Sequence, residues 1–181
     1  MTQTANIEVQ DIPSQNDVSL NNSSQAHAFD FLMGTWNVHH RRLTERLTGS
    51  ENWQEFGGHM NAQPILGGPD NLGGNMDDNV LNLPGDPYRA ISLRTYNPNS
   101  DKWAIWWLDS RTPHSLDVPV LGQFENGIGL FYAEDTLDGK AIKVRFRWTG
   151  TDTPTPQWEQ AFSPDDGATW EVNWTMDFSR K

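Results

Sequence analysis

Four stretches of this sequence carry the side chains able to do chemistry. In Asn37-Val38-His39-His40-Arg41-Arg42 an imidazole, which titrates near neutral pH and can give or take a proton, stands beside guanidinium groups. Successive strand residues point to opposite faces, so His39 and His40 do not ligate one metal from a regular strand. With Trp36 inward, Val38, His40 and Arg42 share its face while His39 and Arg41 stand outside; a bulge after Trp36 reverses the assignment. The choice lies between polar residues on a wall and an interior imidazole and guanidinium offered to a ligand.

The second stretch places Trp103, Ile105, Trp107, Asp109 and Arg111 on one strand face. Asp109 either pairs with Arg111 and fixes the loop that follows, or takes part in proton transfer at a cavity mouth. Trp106, on the other face, suits cover by an N-terminal tail or a homodimer contact. The third joins Trp158-Glu159-Gln160 to Asn173-Trp174 and Met176 through a hairpin at Pro164-Asp165-Asp166-Gly167. Trp158, Gln160 and Phe162 facing inward make Gln160 an interior hydrogen-bonding group; Glu159 facing inward instead becomes a carboxyl of raised pKa, able to move a proton. The fourth is the stripe Tyr88, Ala90, Ser92, Arg94 and Tyr96, in which Arg94 suits either an anionic ligand or an internal Asp or Glu.

Composition narrows the remaining chemistry. The 181 residues hold 13 Lys+Arg against 24 Asp+Glu, a formal net charge of -11. Phosphate backbones are gripped by clustered cations, so nucleic acid is not an expected partner. The absence of cysteine removes disulfides, thiolate metal sites and cysteine nucleophiles. Gly67-Gly68-Pro69-Asp70-Asn71-Leu72-Gly73-Gly74 lacks the Lys and Ser/Thr of a phosphate loop and reads as a mobile loop or a lid. Asp77-Asp78 lacks the spacing of a calcium loop. No metal and no cofactor is expected, although a haem-ligand role for His40 or His59 stays formally open. No run approaches the ~20 apolar residues that cross a bilayer. Residues 1–27 contain neither Lys nor Arg and no apolar signal-peptide segment. A cytoplasmic protein without membrane insertion is expected.

These groups need strands to position them. Residues 1–27 are rich in Gln, Asn, Ser and Thr without an aromatic, and read as a disordered tail; the folded domain is expected at 28–181. Inside it the apolar period is two, as in Ile142, Val144, Phe146 and Trp148, or Trp170, Val172, Trp174, Met176 and Phe178. Strands are expected at 35–47, 53–65, 76–83, 88–97, 102–109, 119–125, 128–134, 142–148, 156–162 and 170–179, after a short helical turn at 28–33. About ten meandering strands with almost no helix leave exposed edges unless they close, so an all-β, antiparallel up-and-down barrel of about 8–10 strands is expected, with a sandwich as the alternative. Nine Trp need burial, with Trp107, Trp158 and Trp174 expected along a cavity and Trp103, Trp148 and Trp170 in ordinary core.

The segment Phe29-Asp30-Phe31-Leu32-Met33-Gly34-Thr35-Trp36, with Arg180 near the end of the last strand, resembles the calycin barrels, the lipocalin and fatty-acid-binding-protein superfamily. Trp106-Trp107-Leu108-Asp109-Ser110-Arg111, Trp158-Glu159-Gln160-Ala161-Phe162-Ser163 and Asn173-Trp174 with Met176 extend the likeness to the bacterial lipocalin-like group DUF1579. The resemblance implies a barrel with a ligand cavity, closed at one end by Arg180 over Trp36, and implies no established reaction. The leading expectation is binding of a hydrophobic or aromatic small molecule by Trp107, Arg94, Tyr96, Trp158, Gln160, Trp174 and Met176. A cofactor-free isomerase, cyclase or hydratase, with His40, Asp109 or Glu159 moving a proton, is the alternative. A solid aromatic interior is the third.

Overall fold

A computed structural model describes residues 24–67 and 73–181. Two 3₁₀ turns, Ser24–His27 and Asp30–Leu32, precede ten strands: β1 (Gly34–Leu43), β2 (Trp53–Pro64), β3 (Gly74–Leu81), β4 (Tyr88–Asn97), β5 (Lys102–Asp109), β6 (Val120–Glu125), β7 (Ile128–Leu137), β8 (Lys140–Thr149), β9 (Gln157–Ser163) and β10 (Glu171–Arg180). Each strand lies antiparallel to its sequence neighbour, and β10 returns to β1 from Trp36 opposite Arg180 to Arg42 opposite Trp174. The sheet is closed, so no strand in the ring leaves an unpaired edge. The strands follow the expected ones within a few residues, and the sandwich alternative falls away.

Alternation places the interior. On β1, Trp36, Val38 and His40 are buried while Asn37, His39 and Arg41 are exposed, the arrangement without a bulge. On β10 a bulge between Val172 and Trp174 breaks the phase. The extra residue turns Trp174, Met176 and Phe178 inward but leaves Trp170 outside, against Tyr132 and under Arg145, 4.7 Å from the ring. The expectation that Trp170 belongs to the core is corrected accordingly. Trp103 and Trp148 are in the core as expected.

One barrel end is plugged by aromatic packing. Phe29 sits edge-on to Trp103 and Phe124, both 5.0 Å away, and Trp36 is 1% exposed. The indole N–H of Trp36 donates to the Leu32 carbonyl (2.7 Å), while the Arg180 guanidinium lies 3.7 Å over the ring and donates to the Met33 and Phe31 carbonyls. Gly34 takes a φ of +101°, and a Cβ there would stand 3.0 Å from Arg180 Nη1, so glycine is needed for both backbone and space. Loss of this cation–π contact and two charged hydrogen bonds in Arg180→Ala is expected to cost about 1–2 kcal/mol by urea denaturation. Lysine at 180, which lacks the planar fork, is expected to recover less than half of it; full rescue would show that charge alone closes the barrel.

The packed chain begins ahead of residue 28. Ala26 is buried, and the Gln25 side chain donates to the Phe124 carbonyl (2.6 Å) and accepts from its N–H (3.0 Å). The tail reading over 1–23 and most of the glycine-rich loop lie outside the described residues. No helix among the described residues is long and apolar enough to cross a membrane.

Candidate functional site

Antiparallel pairing sends the C-terminal ends of the odd strands, with Arg42 and Asp109, to the end opposite Trp36. A cavity of about 250 Å³ runs inward from there. Its wall is aromatic: Trp174 meets Trp107 at 5.8 Å and Trp158 at 5.5 Å, both nearly perpendicular, and Phe146 lies edge-on to Trp158 at 4.9 Å. Gln160 and Met176 complete this side. Gln160 Nε2 donates to Oδ1 of Asn173, the fully buried residue at the bulge (2.8 Å). Of the residues expected to bind a ligand, Trp107, Arg94, Trp158, Gln160, Trp174 and Met176 all line this one space.

Tyr96 does not. It lies at the closed end of β4, where its hydroxyl donates to Asp101 (2.6 Å) and its ring packs on Trp103. Position along the strand, which a face assignment ignores, separates it from the cavity.

Arg94 is inside but not free. Its Nη1 lies 2.5 Å from Asp77 Oδ2 and donates to Asn75 Oδ1 (3.0 Å); Asp77 and Arg94 side chains are 0% and 5% exposed. Asp77 Oδ1 accepts from Asn79 and from the Ser92 N–H. Arg94 thus takes the second course open to it, an internal carboxylate. Arg94 Nε and Trp148 Nε1 nonetheless remain without hydrogen-bond partners among the described residues, and both side chains border the cavity.

The three residues expected to move protons fare differently. His40 is 1% exposed, stacked on Phe56 at 4.7 Å, and accepts a hydrogen bond at Nδ1 from the Trp174 indole (3.2 Å). Gly58 makes room for it, since a Cβ there would stand 2.9 Å from His40 Nε2. Burial, and then His39 and Arg42, lower its pKa to about 3. His40 faces inward, as read, but lies behind Trp174 and does not border the cavity, so it positions that indole and does not meet a ligand. Glu159 faces outward, against Arg145 (3.3 Å) and Arg147 (3.7 Å), because Trp158 and Gln160 take the interior. Its catalytic assignment is corrected. Asp109 does reach the mouth. Burial would raise its carboxyl, but hydrogen bonds from the Arg111 side chain and N–H outweigh that and hold it below the usual range.

The mouth holds groups that sequence reasoning missed. Arg46 lies over Phe162, its centre 5.7 Å from the ring, and Tyr88 stands between Arg111 (3.6 Å over the ring) and Arg42 (3.4 Å to the hydroxyl). On the loop after β5, partial burial and the Asp135 and Asp109 carboxylates raise the pKa of Asp117. Nothing in local spacing marks Arg46 or Asp117, since turns bring both to the rim. Among the described residues no three His, Asp or Glu are grouped to hold a metal ion, and His59 is on the outer face.

No family model and no curated protein matches the chain.

Proposed function

We propose that this protein is a calycin-like, cytoplasmic barrel that binds a hydrophobic or aromatic small molecule between Trp107, Trp158 and Trp174. The observation that carries this reading is a cavity of about 250 Å³ open at one end and walled by indoles, Trp174 standing nearly perpendicular to both Trp107 and Trp158. A solid interior would have filled that space with side chains. The orphaned N–H groups of Arg94 and Trp148 support it, because buried polar groups without partners are costly and a ligand can satisfy them. On the outside, Leu121 and Tyr132 are 52% and 44% exposed, and a homodimer contact would fall there.

The test is titration with N-phenyl-1-naphthylamine and a panel of uncharged arenes, followed by probe fluorescence and calorimetry. Saturable one-to-one binding is expected, weakened about tenfold in Trp107→Ala, which removes an aromatic face at the wall. No binding across the panel overturns the reading.

A second reading, the cofactor-free isomerase, cyclase or hydratase, is favoured by Asp117 alone. Its raised pKa at the rim suits a carboxyl that exchanges a proton with a bound substrate. Under that reading Asp117→Asn abolishes turnover of a substrate the natural sequence converts, while binding of that substrate persists. Undiminished turnover removes Asp117 from the chemistry.

A further inference from the structure

The proposal is that the ligand is an acid. We infer that Arg42 and Arg46 form a receptor at the barrel mouth for an anionic head group, a carboxylate or its sulfonate equivalent, whose apolar body enters the Trp-lined cavity. This rests on the cavity reading above and adds the class of ligand to it.

Matching cations with anions singles out these two side chains. Arg41 pairs with Glu55, Arg89 with Asp78, Arg94 with Asp77, Arg111 with Asp109 and Asp86, and Arg145 and Arg147 with Glu159. Arg180 donates to two carbonyls. Among the arginines of the described residues only Arg42 and Arg46 have no carboxylate or carbonyl partner, although the chain carries 24 acids against 13 bases. Glu171, beside Arg46, is engaged by the Leu47 N–H (2.8 Å). With acids in excess, both unmatched guanidiniums nonetheless border one cavity.

Both guanidiniums are held ready by aromatic rings. Arg42 lies 4.8 Å over Trp174 and Arg46 5.7 Å over Phe162, and both rings belong to the cavity wall. Stacking fixes the guanidinium plane and leaves its edge available for an oxyanion. Arg46 Nε is buried with no acceptor. Burial and the charge of Arg42 lower the Arg46 pKa to about 10, a cost that a bound anion relieves. Deeper in the cavity, Asp77 neutralises Arg94. The guanidiniums left without a carboxylate are therefore at the entrance, beside Trp174 and Phe162 on a rim they share with Asp109, Asp117 and Asp135, which orients a ligand with its acid outward.

A matched pair of probes tests this: 1-anilinonaphthalene-8-sulfonate and N-phenyl-1-naphthylamine share an arene body and differ in the anion. The full-length protein is expected to bind the sulfonate about tenfold more tightly, the margin of one charge-assisted hydrogen bond. That margin is expected to shrink between about 0.01 and 1 M ionic strength and to fall to about one in Arg42→Gln/Arg46→Gln. Equal affinities in the natural sequence, or a margin that survives the double substitution, overturns the head-group inference and leaves the cavity reading standing. Failure of both probes to bind overturns both. Should the double variant misfold, the salt dependence in the natural sequence decides alone: a margin that is constant with salt overturns the inference.

Discussion

Asp77→Ala is expected to destabilise the barrel by about 3–5 kcal/mol, the cost of leaving a buried guanidinium without its counter-ion. Asp77 is fully buried on β3, and its carboxylate holds Arg94 from the neighbouring β4 at 2.5 Å. Asn79 and the Ser92 N–H also donate to it, so the substitution orphans donors as well as a charge. The double variant Asp77→Ala/Arg94→Met removes both charges and is expected to recover most of the loss, because a buried pair replaced by apolar groups is often neutral. Chemical denaturation of the four proteins in this cycle gives the coupling. Additive losses would mean that the two side chains do not stabilise each other.

The second large effect is on pH. His40 has a pKa of about 3 in the fold, against 6.5 for an ordinary histidine. A neutral imidazole in the native state and a protonated one in the unfolded state make the unfolded chain bind the extra proton between those values. The stability contributed by neutral His40 is therefore complete above pH 6.5 and is lost as pH falls toward 3. From about pH 7.5 to 4.5 the loss from this one group is roughly 2–3 kcal/mol. Carboxylates with lowered pKa, such as Asp109, act with the same sign at lower pH, so a comparison is needed. His40→Gln keeps an acceptor for the Trp174 indole and does not titrate. Its stability is expected to be lower at pH 7.5 and to fall less steeply; curves parallel to the natural sequence would show that His40 is protonated equally in both states.

Strand order was legible in the residues because it rests on local signals, and the closed end through a family resemblance. Alternation and turn residues place β4 and β5 at 88–97 and 102–109, the observed bounds. Gly34, Trp36 and Arg180 meet as the resemblance to the calycin barrels implies. What escaped depends on depth, register or a single inserted residue. Alternation puts His40 inside but does not show Trp174 lying between it and the cavity. The partner of Arg94 is a residue of β3, and only the register, with Asn75 opposite Arg94 and Asp77 opposite Ser92, brings it near. The bulge at Asn173 leaves no mark on an apolar period, yet it moves Trp170 to the outside. Arg46 follows β1 in a turn, where no period applies, and it emerges, together with Arg42, only when the other seven arginines have found a partner.

Nine of the ten strand pairings join consecutive strands, and the tenth joins β1 to β10. Hairpins form through short loops, whereas the last pairing must bring together segments separated by most of the chain, which is entropically the slowest contact to make. The seam so formed carries His40 and Arg42 on one side and Trp174 and Met176 on the other. A chain with nine pairings made and the tenth open lacks one corner of its pocket, so ligand affinity reports completion of folding, and a bound ligand in turn holds the seam shut by mass action.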